Sequence, residues 1–248
     1  MLELTTDQLP LLTVAIFVVA FLYSSVGHAG ASGYIAVMSL FGLNPLVIKP
    51  IALALNILVA SIASFQFWRS GHFSWRLFWP FAILAVPFAF LGGYINLPTQ
   101  IFKVIVGIIL LFSAVRFLYP SKVESVIKEP KRPIALFSGA GLGFLAGLTG
   151  TGGGIFLTPL LLLNQWATVK SAAAVSALFI LMNSIAGLLG NLSSTRSFPS
   201  FTAIFAISAI VGGTLGSYLG SNRFEPIIIK RLLAFVLTIA GLKLILTN

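Results

Sequence analysis

The chain has 248 residues, of which 58% are hydrophobic and 8% charged, against about 25% charged in a soluble domain. A water-soluble fold of this size cannot bury so much apolar surface. Lipid must be part of its solvent, and the continuous apolar runs at 101–115 and 232–246 predict an all-α polytopic membrane protein rather than an alternating β-barrel. The net charge of +10 falls mostly in short loops, where it sets membrane orientation and marks no nucleic-acid surface; the lack of cysteine excludes disulfides, thiolate metal sites and cysteine chemistry.

The opening residues, Met1 to Asp7, are acidic where a signal peptide would be basic, so the first hydrophobic segment is expected to be a retained helix. An apolar run at 9–21 then meets a glycine-rich break, Gly27-His28-Ala29-Gly30-Ala31-Ser32-Gly33. A second apolar piece of about 10 residues follows, too short to span a bilayer alone. This broken element occupies about 9–43. Full-length helices are predicted near 46–68, 74–95 and 101–119. Residues 120–133 form the long polar stretch of the chain, with Lys122, Glu124, Lys128, Glu129, Lys131 and Arg132.

The same order then repeats. An apolar run at 134–146 meets the break Gly147-Leu148-Thr149-Gly150-Thr151-Gly152-Gly153-Gly154, inside a broken element at about 134–164. Helices are predicted near 168–191, 198–221 and 227–246. Aligning Gly33 with Gly154 places Ser32 on Gly153, Lys49 on Lys170 and Ala52 on Ala173. Further along, Gly92-Gly93 matches Gly212-Gly213, Lys103 matches Lys230, and Arg116 matches Lys243. The chain therefore reads as an N-terminal repeat (1–119), a cytoplasmic linker (120–133) and a C-terminal repeat (134–248).

Charge placement decides how the broken elements lie. If each crossed the membrane once, positive loops would scatter over both sides. If each is a hairpin returning to its own side, Arg69, Arg76, Arg116, Lys122, Lys128, Lys131, Arg132, Lys170, Arg223, Lys230 and Arg231 share one side. Lys49, Lys103, Arg196 and Lys243 fall on the other. The positive-inside rule favours the hairpins. The halves are then inverted repeats, with both glycine-rich tips entering from opposite faces, the arrangement in which secondary transporters bind substrate.

Irregular backbone at membrane depth is tolerated only where it is buried or lines a cavity. The short helices start just after the breaks, so their free N–H groups and positive dipole ends would face that cavity. The acidic residues Glu3, Asp7, Glu124, Glu129 and Glu225 all lie at termini or in loops. A cation carrier usually keeps a carboxylate inside the membrane; this chain points instead to an anion held by amides and hydroxyls. The candidate substrate-binding residues are Ser24, Ser25, His28, Gly30, Ser32, Gly33 and Asn56 in the first half. In the second they are Thr149, Thr151, Gly152, Gly153, Gly154 and Asn183, with Thr158 as a further hydroxyl. His28 has two readings, an anion contact or proton carrier near neutral pH, and a neutral imidazole bonded to a carbonyl.

Other features have structural readings. Gly139, Gly143 and Gly147, and likewise Gly212, Gly216 and Gly220, recur every four residues, as closely packed membrane helices require. Trp68, Trp75 and Trp79 flank Arg69 and Arg76 as an interfacial belt. Lys49 and Lys170 could be surface anchors or could draw anions to the cavity mouths. The second glycine run is no P-loop, because no Gly-Lys-Ser/Thr follows, and no catalytic carboxylate pair, cysteine or histidine cluster suggests an enzyme. No metal site and no cofactor are expected.

The run from Gly147 to Gly154, the following Ile155-Phe156-Leu157-Thr158-Pro159 and the later Ala172-Ala173-Ala174 resemble the sulfite exporter TauE/SafE family of membrane transporters. The first half carries a degenerate copy, 27–33 followed by Asn44-Pro45. The resemblance implies transport of small sulfur-containing anions, sulfite or organosulfonates, across a bacterial inner membrane. The expected partners are that anion and the lipid bilayer, with no nucleic acid, and a homodimer is compatible with the reading. A passive anion channel on the same scaffold and a proton-coupled organosulfonate importer are the alternatives.

Overall fold

A computed structural model of the chain describes residues 8–25, 28–69, 71–118, 127–196, 198–199, 202–222 and 226–246. These form ten α-helices and no strand among the described residues: α1 (Gln8–Ser25), α2 (Ala31–Leu40), α3 (Pro45–Arg69), α4 (Trp75–Tyr94), α5 (Thr99–Leu118), α6 (Arg132–Thr149), α7 (Gly154–Leu163), α8 (Val169–Thr195), α9 (Thr202–Asn222) and α10 (Pro226–Leu246). Five of them (α1, α3, α4, α5 and α8) are long and apolar enough to cross a membrane by their described residues alone. The all-helical class read from composition holds. Both predicted breaks fall between a long helix and a ten-residue one.

Two boundaries differ from expectation. Helix α8 runs on to Thr195, beyond the end expected near residue 191. The Ser193 and Thr195 hydroxyls donate to the carbonyls four residues back, satisfying themselves inside the helix. Helix α9 starts at Thr202, whose hydroxyl and N–H both donate to the Pro199 carbonyl. Several charged positions used in the orientation and carboxylate arguments (Glu3, Asp7, Lys122, Glu124, Arg223 and Glu225) lie outside the described residues, as does Gly27.

Apolar side chains cover much of the outside, with Phe137, Ile207 and Phe235 all mostly exposed, as a lipid-facing surface requires. Lipid gives helices no hydrophobic reason to associate, so close backbone approach must hold them together. A methyl group at Gly139, Gly143 or Gly147 on α6 would run into the carbonyls of Phe81, Ala85 and Ala89 on α4. Both series climb by four, so α6 and α4 lie parallel and nearly in backbone contact. On the other side, Gly212 and Gly216 on α9 meet the carbonyls of Phe17 and Phe21 on α1, and Ser208 donates to the Thr13 carbonyl at 2.9 Å. These helices also run parallel. The surroundings of Gly220 lie outside what is described.

Helices α3 and α8 pack on each other, with α9 also against α3 and α4 also against α8. Asn56 meets Ser184 and Leu53 meets Gly187, so α3 and α8 run antiparallel. Buried side chains of α1, α2, α3, α5, α9 and α10 form one core around Tyr34, Ile51 and Phe205. A second core gathers Phe81, Leu157, Leu161 and Phe179 from α4, α7 and α8.

Candidate functional site

The first break is shaped by one glycine. Gly30 has φ +103°, a left-handed conformation that a side chain strongly resists, and its backbone begins α2 with no side-chain cap. A Cβ there would also meet the Tyr34 ring. His28 precedes it, with its N–H on the Tyr23 carbonyl at 3.0 Å. The Tyr23 and Ser32 hydroxyls are 2.7 Å apart and buried, joining the end of α1 to the start of α2.

The second break uses three left-handed glycines. Gly150 ends α6, Gly152 follows Thr151, and Gly153 starts α7, again without a side-chain cap. Asn56, fully buried on α3, donates to the Thr151 carbonyl at 3.4 Å and to the Ser184 hydroxyl at 3.3 Å, long contacts for both. Its Oδ1 has no partner. The Thr149 hydroxyl donates to the Leu145 carbonyl at 2.7 Å and lies 3.1 Å from that of Thr151.

These two breaks meet. Tyr23, His28, Gly30, Ala31, Ser32, Asn56, Thr151, Ile155 and Ile180 all border one cavity of about 10 Å³. Ala31 and Ser32 belong to the first turn of α2, and Ile155 to the first turn of α7, so both uncapped helix starts reach the same point. The first N–H groups of a helix lack intrahelical partners, and its dipole places partial positive charge there. Among the described residues no carboxylate borders the cavity. Its volume holds about one water molecule, less than an oxyanion occupies.

The structure therefore brings His28, Gly30, Ser32, Asn56 and Thr151 together. Gly152, Gly153 and Gly154 shape the same tip from behind, where added methyl groups would meet Asn56, Phe179 and Ile180 respectively. Thr149 touches the cavity only through Thr151. Other candidates are placed elsewhere. Ser25 donates back to the Leu22 carbonyl, and the Ser24 hydroxyl faces Gly213 of α9. Gly33 gives room to Val19 and Tyr23 between α1 and α2. Thr158 donates to Ser176 and ties α7 to α8. Asn183 is fully buried one residue from Ser184, and neither amide atom has a protein partner.

Sequence reading missed Tyr23 and Ser184, and it misplaced Lys49. A phenol hydroxyl in an apolar span, one turn before the break, is the signal that could have found Tyr23. Lys49 is neither an anchor nor a free cation: it is 3% exposed and donates to the carbonyls of Gly92, Gly93 and Ile95 at 3.2, 2.8 and 2.8 Å. It closes the C-terminal end of α4, where a cation is favoured, and its backbone lies against Gly150. Lys170 is exposed, so the matched pair is not used alike.

The family model described as "Sulfite exporter TauE/SafE" matches residues 12–244. The "Probable membrane transporter protein y4hK" of Sinorhizobium fredii is 43% identical over 239 residues, which cover 94% of this chain and 97% of the relative. The "Probable membrane transporter protein YjnA" of Bacillus subtilis is 26% identical over 241 residues, covering 88% and 92%. A probable membrane transporter protein of Methanocaldococcus jannaschii is 26% identical over 260 residues, covering 96% of each. These names are those of transporters and not of enzymes. No solved structure matches significantly. With apolar spans and a family match along nearly its whole length, the chain belongs to the sulfite exporter TauE/SafE family and is a multi-pass membrane transporter.

Proposed function

We propose that the chain is a secondary transporter that exports a small sulfur-containing anion, sulfite or an organosulfonate, across a bacterial inner membrane. The observation that carries this reading is the meeting of two uncapped helix starts, α2 and α7, at one cavity bordered by hydroxyls, an amide and His28 and, among the described residues, by no carboxylate. Such a place attracts an oxyanion without any formal charge. The substrate's sulfonate or sulfite oxygens would take the N–H groups of the first turns, with Ser32, Thr151, Asn56, Tyr23 and His28 completing the site.

The halves act as inverted repeats in this reading. Helices α3 and α8 occupy matching places in the two halves and run antiparallel, as inversion requires. The pairs α1 with α9 and α6 with α4 exchange under the same relation. Rocking of one half against the other would expose the central cavity to each face in turn. A cavity closed to about 10 Å³ favours this over a standing channel.

No ATP-driven machinery is needed. An anion leaving an inside-negative cell gains roughly 2.3 kcal/mol per charge per 100 mV. Flux of sulfite into proteoliposomes under an imposed potential, and then under an imposed pH gradient, tests the reading. Saturable flux that follows the potential supports the uncoupled exporter. Flux that needs the pH gradient replaces it with the proton-coupled alternative and makes His28 the carrier. Flux that never saturates and shows no trans-stimulation replaces it with a channel, and absence of flux rejects sulfite.

A further inference from the structure

A second cavity, of about 610 Å³, lies between the start of α4, the residues before α6 and the turn from α7 to α8. Arg76, Lys128 and Arg132 border it, with Glu129 as the one carboxylate among the described residues of its walls. Glu129 is ion-paired to Arg76 at 2.9 Å, and among the described residues neither Lys128 nor Arg132 has a carboxylate partner. Helices α4, α6 and α8 all begin at these walls, so their positive dipole ends add to the excess of cations. The rest of the wall is apolar. Along α4 it runs from Arg76 through Trp79 to Ile83, about 10 Å at 1.5 Å per residue, and along α6 from Arg132 to Leu136, about 6 Å. Trp79 and Ile83 are 53% and 55% exposed, so this wall opens toward lipid. Trp75 stacks on Trp79 and meets the Phe78 ring edge-on, an aromatic cluster of the kind that marks a membrane–water interface. One cavity thus joins a cationic level to an apolar one. A soluble anion would leave the apolar wall unused, and a neutral lipid would leave the cations so.

We propose that this cavity seats an anionic phospholipid, with its phosphate against Lys128 and Arg132 and its acyl chains along Trp79 and Ile83. Basic pockets between membrane helices suit such headgroups. The inference needs only a chain that spans a membrane, and not the substrate proposed above. The lipid would also touch the transport machinery. Trp166 and Ala167, just after α7, form part of the wall, and Trp166 packs on Phe81 of α4 with ring centroids 6.0 Å apart. The Lys128 N–H donates to the Gln165 carbonyl at 2.8 Å. A bound headgroup therefore joins the residues before α6 to the far end of α7, the helix whose first turn borders the central cavity.

The test uses the full-length protein in a non-ionic detergent with equal amounts of phosphatidylglycerol and phosphatidylcholine carrying the same acyl chains. Native mass spectrometry counts the lipids retained on the intact protein, each variant first being shown by circular dichroism to keep the parent's helix content. Phosphatidylglycerol should be retained over phosphatidylcholine. The ratio should fall about tenfold in Lys128→Gln/Arg132→Gln, two interfacial cations being removed. Lys128→Arg/Arg132→Lys keeps both charges and should hold the parent ratio. Arg69→Gln/Arg196→Gln removes as much charge from exposed positions outside the cavity and should also leave the ratio unchanged. No preference for phosphatidylglycerol in the parent overturns the proposal, as does an unchanged ratio in Lys128→Gln/Arg132→Gln. Equal loss in the two charge-removing variants overturns it too, because the effect would then be one of net charge. Displacement of the bound phosphatidylglycerol by millimolar inorganic phosphate overturns it in favour of a soluble anion. Sulfite flux through the parent protein judges the transport reading separately, so failure of one leaves the other standing.

Discussion

The hydroxyls of Tyr23 and Ser32 lie 2.7 Å apart across the first break, so the last full turn of α1 and the first turn of α2 share one hydrogen bond at the edge of the central cavity. Tyr23→Phe removes the phenolic oxygen and keeps the ring that packs against Gly33. The expected result is a fold that survives but is destabilised by about 1 kcal/mol, because buried Ser32 loses its partner, and an apparent sulfite affinity weaker by roughly tenfold, the effect of one hydrogen bond of about 1.4 kcal/mol. The concentration dependence of flux, read beside a thermal unfolding curve, checks it.

Gly152 and Gly153 hold φ of +73° and +81°, and an added Cβ at Gly152 would sit 2.5 Å from the Asn56 amide nitrogen. Gly152→Ala and Gly153→Ala should each destabilise by about 1 kcal/mol or more from backbone strain alone. Transport should fall by more than tenfold, because the Thr151 hydroxyl and the start of α7 would move. Unfolding temperature and initial flux rate separate the two effects. A variant that keeps wild-type flux would remove this tip from the site.

The α4–α6 contact offers a matched pair of substitutions two residues apart. Gly143 lies against the Ala85 carbonyl, whereas a methyl at Gly141 meets nothing within 4 Å. Gly143→Ala should lower stability by about 1–3 kcal/mol, the usual range for overpacking. Gly141→Ala should be neutral or slightly stabilising, since alanine is the better helix former. Denaturant unfolding of the two purified variants in one detergent makes the comparison.

Lys49 and Lys170 start corresponding helices but behave differently. Lys49→Gln leaves carbonyls of Gly92, Gly93 and Ile95 short of donors inside the protein. It should destabilise by about 3 kcal/mol, since each unsatisfied buried polar group costs about 1–3 kcal/mol. Lys170→Gln, at an exposed position, should stay within about 0.5 kcal/mol of the parent. Equal behaviour of the two variants in thermal unfolding would contradict the cap at the end of α4.

The helices were legible because lipid demands long apolar runs, and the breaks because consecutive glycines interrupt them. The four-residue glycine spacing on α6 also carried its meaning in sequence, since only small residues let backbones touch. What was not legible is the direction each polar side chain takes. Ser25 and Ser32 are both small hydroxyls beside the same break, yet one bonds its own helix and the other faces the cavity. Ser184 meets Asn56 only because α3 and α8 cross at that height, a tertiary fact with no local signal. Lys49 looked like a surface anchor because its three carbonyl partners lie more than forty residues away in sequence.

The most direct test of the central claim is equilibrium binding of sulfite to purified protein, comparing the parent with Ser32→Ala/Thr151→Ala. One substitution lies at each tip, so the double variant strips a hydroxyl from both sides of the cavity while leaving every helix intact. If the two tips hold the anion, affinity should fall by tenfold or more in a protein that remains folded, each lost hydrogen bond to a charged group contributing about 1.5–3 kcal/mol. Equal affinity in the folded parent and double variant would contradict the account and place the substrate elsewhere.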